Sequence, residues 1–234
     1  MLRRPVPSLP AAAGALAGAL LVCLLLGGCA TAPPVASVPT SAATGVPGVA
    51  ALGAGFLGDV TAPTPEATVN PEPGSWDGVE PPVGYRVVLI SAGYDAGTAT
   101  LAGAVQDWAA RSGVQLERLT ASTDDEVEAQ INTAVLRDAD LVIGAGNAVV
   151  DVFALLTPQH LAQQFLVVGA ELPEPTENLT AVVWEGATFR GTGLSAASDY
   201  DETTITAGRA DDAVTAGVAS VLHGHTGIVL RLTF

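Results

Sequence analysis

From residue 85 onward, short apolar runs alternate with amphipathic helical patterns, and this alternation constrains the fold more than any other feature. The clearest example is residues 140–147, D-L-V-I-G-A-G-N, where an apolar run with β-branched residues ends in two glycines. Such a run is typical of a buried parallel strand that leads into a helix. Alternating strands and helices with short connections require a parallel sheet with right-handed crossovers.

The same plan repeats along residues 85–234. The helical patterns include Leu101, Val105 and Trp108 at i, i+4 and i+7, and a capping-box spacing from Thr123 to Glu126. The predicted strands are residues 86–91 and 114–119, the apolar run within residues 140–147, and residues 165–170, 180–184 and 227–232, and the two last predicted helices are residues 187–197 and 207–222. We therefore predict an α/β fold class, a single Rossmann-like domain with a mainly parallel sheet of about six strands flanked by helices.

The chain begins with a leader of secretory type. Residues 1–28 contain two arginines, then an apolar segment, then two glycines directly before Cys29. The run L-G-G-C resembles the lipobox of bacterial lipoproteins, which implies cleavage before Cys29, lipidation of its thiol, and a lipid-anchored protein on the extracytoplasmic face of the cell membrane. The alternatives are an ordinary signal peptide or an uncleaved anchor helix. The other cysteine, Cys23, lies in the leader, so no disulfide is expected.

Residues 29–84 differ in composition from the rest, being rich in proline, alanine and glycine. We predict a disordered tether, and a coil of about 50 residues has an r.m.s. reach of about 40 Å. Leu52, Phe56 and Leu57 form an apolar patch within it. That patch either docks on the domain or the membrane, or is a disordered interruption.

Charge and residue types exclude several functions. After removal of the leader the chain has seven arginines, no lysine and 24 acidic residues, so nucleic acid is not expected as a partner. Without lysine there is no Schiff-base chemistry, and the sequence contains no G-x-S-x-G motif. His223 and His225 have no third ligand nearby in sequence, so no metal is expected. We predict a protein that is not an enzyme and needs no cofactor.

Candidate ligand-binding residues follow the predicted strands, because ligands of open α/β sheets bind beyond the carboxyl ends of the strands. An aromatic ring would stack on a planar ligand, and polar groups would orient it. For Asn147 the alternative is a helix cap, and for Trp184 it is a place in the core. The candidates are Tyr94, Asp95, Gly146, Asn147, Glu171 and Trp184.

The order of these motifs resembles the first lobe of the basic membrane protein family, the substrate-binding lipoproteins of ABC importers. The residues concerned are D-L-V-I-G-A-G at 140–146, Q-F-L-V-V-G at 164–169, Asn178 before T-A-V-V-W at 180–184, and Glu185-Gly186 leading into G-L-S-A-A at 193–197. The chain departs from the family at Thr98-Ala99-Thr100, where members have a Ser-Phe-Asn element, and in having no second lobe of similar size. Tyr94 can replace the missing aromatic ring.

The resemblance implies a periplasmic-binding-protein type 1 lobe, a nucleoside-like or other small polar ligand, and an ABC permease as partner. The membrane anchor implies a second partner, the lipid bilayer, through lipidated Cys29. The alternative function is that of a cell-envelope interaction or structural lipoprotein which kept the fold and lost ligand capture.

Overall fold

A computed structural model of the chain describes residues 45–192 and 200–234. Within them, seven strands form one parallel sheet in the order β1-β7-β6-β5-β4-β2-β3. The strands are β1 (Thr68–Val69), β2 (Arg86–Ala92), β3 (Gln115–Ala121), β4 (Leu141–Ala145), β5 (Phe165–Val168), β6 (Leu179–Val183) and β7 (Val229–Arg231). The α-helices are α1 (Ala96–Ser112), α2 (Asp124–Leu136), α3 (Val150–Leu156) and α4 (Ala207–Leu222). The predicted α/β class with a parallel sheet is confirmed.

The sheet is buried on both faces, as its near-continuous apolar strands predict. One face packs against α1 and α4, where Leu101, Val105 and Trp108 are at most 2% exposed. The other face packs against α2 and α3, where Ile131 and Phe153 are fully buried. Each helix thus buries the apolar stripe that its periodicity shows.

Residues 45–84, here called the wrapping segment, pack on the domain. Phe56, Val69 and Trp76 are between 1% and 4% exposed and belong to the same core cluster as α1 and α4. The segment also supplies β1, which pairs with β7. Leu52 and Leu57 are partly buried against this core, so the docked alternative holds for the apolar patch.

The prediction of a disordered tether is therefore wrong for residues 45–84, and the domain does not begin at residue 85. Single apolar side chains separated by proline and glycine show no periodicity, yet each of them finds a place in a core formed by distant residues. The predicted signal peptide, Cys29 and residues 30–44 lie outside the described residues.

The predicted helix at 187–197 is also wrong over its described part, residues 187–192. Gly186 has a φ of 86° and begins a turn, after which Ala187 and Phe189 form isolated bridges with Trp184, Tyr200 and Ala170. Glycine and threonine in this stretch favour a helix weakly, so pairing with the neighbouring strand ends prevails. The remainder of that prediction falls on residues 193–197, outside the described residues.

Candidate functional site

All seven strands run in one direction, so their carboxyl ends lie along one edge of the sheet. The strand order reverses beside β2, which has β3 on one side and β4 on the other. The loops after β2 and β4 therefore diverge from a topological switch point, where open α/β sheets commonly bind ligands. We call the space bordered by residues 93–98 and 146–148 the switch-point crevice.

Two of the candidate residues follow β2. Asp95 is the N-cap of α1, and its Oδ1 accepts a hydrogen bond of 2.7 Å from the backbone N–H of Thr98. Its carboxylate thus stabilises the start of the helix. Tyr94 is 90% exposed, and its hydroxyl lies 3.0 Å from the Oγ of Ser122. The tyrosine side chain is thus almost fully exposed to solvent.

Two further candidates follow β4. Gly146 has a φ of 87°, and a Cβ there would lie 2.3 Å from the Oγ1 of Thr98. Only glycine allows the β4 loop to approach α1 this closely. Asn147 begins a short 3-10 turn without capping it, and its buried Oδ1 finds no hydrogen-bond partner within the described ranges. The cap alternative for Asn147 is therefore not what the structure shows.

Residues 200–205 pack against the first turn of α1, at one border of the switch-point crevice. The Oε1 of Glu202 accepts a hydrogen bond of 2.9 Å from the backbone N–H of Gly97, in the first turn of α1. A Cβ on Gly97 would lie 2.9 Å from the hydroxyl of Tyr200 and 3.0 Å from the Cδ1 of Ile205. Burial, together with Asp95 and Glu202, raises the pKa of the Tyr200 phenol. A carboxylate of the protein thus occupies the helix terminus that would attract an anionic ligand.

Glu171, which follows β5, has an internal partner. It is 7% exposed, and its Oε1 lies 2.8 Å from the Nε of Arg190. Burial raises the pKa of this carboxyl group, while Arg190 and, more weakly, Arg231 oppose the shift. Arg190 also donates to the carbonyl of Pro173. Glu171 therefore holds the loop after β5 in place and presents no free carboxylate to a ligand.

Trp184, which follows β6, lies in the core. This is the alternative to a ligand-stacking role for this residue. The side chain is 1% exposed, and its Nε1 donates to the carbonyl of Thr204 at 3.3 Å. Its ring meets that of Phe234 edge to face, with 5.9 Å between centroids. Phe234 is 48% exposed, so the aromatic surface available to a ligand is that of Phe234.

A cavity of about 680 Å³ opens at the carboxyl ends of β6 and β7, and we call it the arginine pocket. Arg209, in the first turn of α4, lies with its guanidinium 5.2 Å from the centre of the Phe234 ring. Arg231 ends β7 and is exposed. Within the described part of the chain, neither guanidinium has a carboxylate at ion-pair distance. Glu185 and Asp201 also line the pocket.

The six sequence candidates thus separate into groups. Tyr94, Asp95, Gly146 and Asn147 come together at the switch-point crevice, and Trp184 lines the arginine pocket through its buried ring. Glu171 lines neither space. No local pattern indicates a role for Arg209 and Arg231, because an arginine in a first helical turn or at a strand end is usually solvated. Only the neighbouring positions of β6, β7 and α4 bring the two together.

Two features are absent from residues 45–192 and 200–234. These residues contain no group of three or more His, Cys, Asp or Glu side chains placed to hold a metal ion. Nor do they contain a helix long and apolar enough to cross a membrane.

The fold has distant structural similarity to periplasmic-binding-protein-like folds. An ABC transporter solute-binding protein from Aeropyrum pernix K1 matches with a TM-score of 0.38 and 17% identity over 43% of this chain and 29% of that one. One from Conexibacter woesei DSM 14684 matches with a TM-score of 0.36 and 16% identity, over 43% and 35% of the two chains. A transcriptional activator of the comK gene from Bacillus halodurans matches with a TM-score of 0.38 and 13% identity, over 63% and 53%.

This chain spans about a third of the length of the two ABC solute-binding proteins. At these identities and TM-scores the similarity concerns the fold and says nothing about a ligand. No protein-family model matches the sequence, and no curated protein matches it significantly.

Proposed function

We propose that this protein is a membrane-anchored lipoprotein whose domain binds a small polar solute, as the solute-binding component of an ABC importer. The observation that supports the proposal is the arginine pocket. Its volume of about 680 Å³ falls in the range of roughly 300 to 1,000 Å³ typical of small-molecule sites. It lies at the carboxyl edge of a parallel sheet, where such sites occur.

The lining of the pocket suits a polar solute. Polar and charged side chains from three elements converge there, and the half-exposed ring of Phe234 adds an apolar surface. Arg209 is already oriented, since it rests on that ring and its Nη1 donates to the carbonyl of Thr204 at 3.4 Å. A guanidinium held in this way loses less conformational entropy when it binds a ligand.

The anchor in this proposal is the diacylated thiol of Cys29, which would supply the two chains that stable membrane attachment requires. An ABC permease is then the partner that receives the solute. Cys29→Ala should abolish palmitate labelling and release the protein from membranes. Persistent labelling of this variant, with a mature start at another residue, would contradict the lipoprotein proposal.

Ligand-induced thermal stabilisation tests solute binding. A ligand that binds only the folded state stabilises it by RT ln(1 + [L]/Kd), about 2.7 kcal/mol at one hundred times Kd. The mature protein in detergent should therefore melt several degrees higher with at least one compound of a panel of nucleosides, amino acids, sugars and organic acids. Each compound is present at 10 mM, a concentration well above the Kd expected of a solute-binding protein. The absence of a Tm shift with every compound would therefore contradict the proposal.

A second function is supported by a different observation. Glu202 occupies the first turn of α1 at the switch point, as expected of a domain that kept the fold and lost ligand capture. In this case the protein is a cell-envelope interaction or structural lipoprotein. Crosslinking in intact cells separates the two functions: a permease as main crosslinked partner agrees with solute binding, and an envelope structural protein agrees with the alternative.

A further inference from the structure

The arginine pocket combines both signs of charge in a protein that is otherwise strongly acidic. The chain has 24 acidic residues and nine basic ones, all of them arginine. Three arginines form ion pairs, and Arg86 donates to two backbone carbonyls. In the described ranges the other three arginines, Arg118, Arg209 and Arg231, form no ion pair, and two of these three line one pocket.

An unpaired guanidinium in an acidic protein suits an anionic group of a ligand. Guanidinium binds carboxylate through two parallel N–H···O bonds, and such charge-assisted bonds are about twice as strong as neutral ones. Arg231 lies at the exposed end of β7 and Arg209 in the first turn of α4, so they reach the pocket from different elements. A ligand carboxylate in the pocket has two oxygens and can therefore accept hydrogen bonds from both guanidinium groups.

The two acidic residues of the pocket, Asp201 and Glu185, differ in whether their carboxylates already have a partner. The Oδ1 of Asp201 accepts from the backbone N–H and the hydroxyl of Thr203, which lowers the pKa of this carboxyl group and keeps it ionised. Glu185 is exposed, lines the pocket and forms no ion pair with a described residue. A negative charge is thus present beside the two guanidinium groups and is available to a positive group of the ligand.

We infer that the ligand of the arginine pocket is a small zwitterion of the amino-acid class, and this inference rests on the proposed solute-binding function. The carboxylate of the ligand lies between Arg209 and Arg231, its ammonium group faces Glu185, and its side chain contacts the ring of Phe234. The switch-point crevice takes no part, since the carboxylate of Glu202 already occupies the first turn of α1 there.

The test uses the mature lipoprotein in detergent and thermal unfolding with each of the 20 proteinogenic L-amino acids at 10 mM. At least one amino acid should raise Tm. The same measurement is then made with the decarboxylated amine and the deaminated acid of that amino acid, and each should bind roughly 10- to 100-fold more weakly, because each leaves charged groups of the pocket unpaired. Adenosine and guanosine serve as uncharged controls and should give no shift.

Variants then locate the site. Arg231→Gln should weaken binding of the active amino acid by roughly 10- to 100-fold, and Glu185→Gln should weaken it by about tenfold. Arg118→Gln is the matched control, since Arg118 is an exposed arginine of β3 without an ion pair in the described ranges, and it should leave binding unchanged.

Two results would overturn the inference, and they differ in what else they overturn. If nucleosides, sugars or organic acids stabilise the protein and amino acids do not, or if Arg231→Gln binds the active amino acid like wild type, the ligand class is wrong and solute binding stands. If no compound of any class raises Tm, the solute-binding function fails together with the inference.

Discussion

The switch-point crevice and the arginine pocket lie along the same edge of one sheet, yet residues 200–205 pack against the first and the second stays open among residues 45–192 and 200–234. At the crevice, Glu202 accepts from the first turn of α1 and Tyr200 packs beside it. At the pocket, Arg209 and Arg231 have no carboxylate partner in the described ranges. The expectation that ligands bind at a switch point depends on that crevice being free. Here Glu202 and Tyr200 pack against the first turn of α1 at that crevice, whereas the arginine pocket lies at the ends of β6 and β7.

The two regions share one wall, and Trp184 supports it. Its buried ring donates to Thr204, which precedes Ile205 in the segment that packs at the crevice, and it also lines the pocket. Trp184→Ala should cost about 3 to 5 kcal/mol of unfolding free energy, measured by urea denaturation. Phe234→Ala is the matched aromatic control and should cost about 1 kcal/mol, because its ring is half exposed. Equal losses in the two variants would show that Trp184 is not the shared support.

The β4 loop contacts α1 closely at the crevice, and this contact involves no residue of the arginine pocket. Gly146→Ala should cost about 3 kcal/mol, since it places a side chain at a φ of 87° and against Thr98. Gly103→Ala, at an open position within α1, is the control and should stabilise the protein by about 0.4 to 1 kcal/mol. Denaturant midpoints measure both changes. A loss below 1 kcal/mol for Gly146→Ala would mean that the crevice is less tightly packed than the structure shows.

The carboxylate of Glu202 has a smaller expected effect on stability. Glu202→Ala should cost about 1 kcal/mol by removing the hydrogen bond to Gly97. Asp95→Ala should cost a similar amount, about 1 kcal/mol, because Asp95 caps α1. Ligand affinity should stay unchanged in both variants. A tenfold loss of affinity in Asp95→Ala would return the site to the crevice, where the sequence places it.

The smallest expected effect is a pH dependence of the unfolding free energy, caused by Glu171. This residue follows β5, which lies between the two regions in the sheet. Burial raises the pKa of this carboxyl group above its ordinary value of 4.5, so the folded state binds a proton more tightly than the unfolded state. The resulting stabilisation is complete below about pH 4.5 and is lost as pH rises through the raised pKa. The unfolding free energy of wild type should therefore fall relative to Glu171→Gln between pH 4 and 7. A relative rise over this range would show that the ion pair with Arg190 outweighs burial.

Much of the fold could be predicted because its signals are local. The helix predicted at residues 207–222 is observed as α4 (Ala207–Leu222). The capping residue Thr123 accepts from the backbone N–H of Glu126, as its spacing predicts. Four to seven apolar or alternating residues suffice to predict strands such as β2 and β4. These features depend on neighbours in sequence, so the sequence alone shows them.

The missed features depend on distant residues. The wrapping segment buries Phe56 and Trp76 against helices that lie far along the chain, and the two residues of β1 are too few to show a period. Residues 187–192 follow the neighbouring strand ends and form no helix. The arginine pocket was missed for the same reason: the sheet order brings β7 beside β6, and no local pattern encodes that order.

Hydrogen exchange with and without ligand tests most directly which region binds. The probe is whichever compound gives the largest Tm increase with the mature protein in detergent. If the ligand binds in the arginine pocket, amide exchange should slow in residues 184–188 and 229–234, which border that pocket, and should stay unchanged in residues 93–98 and 146–150. Protection of residues 93–98 and 146–150, with no change around the arginine pocket, would contradict it and assign the site to the switch-point crevice.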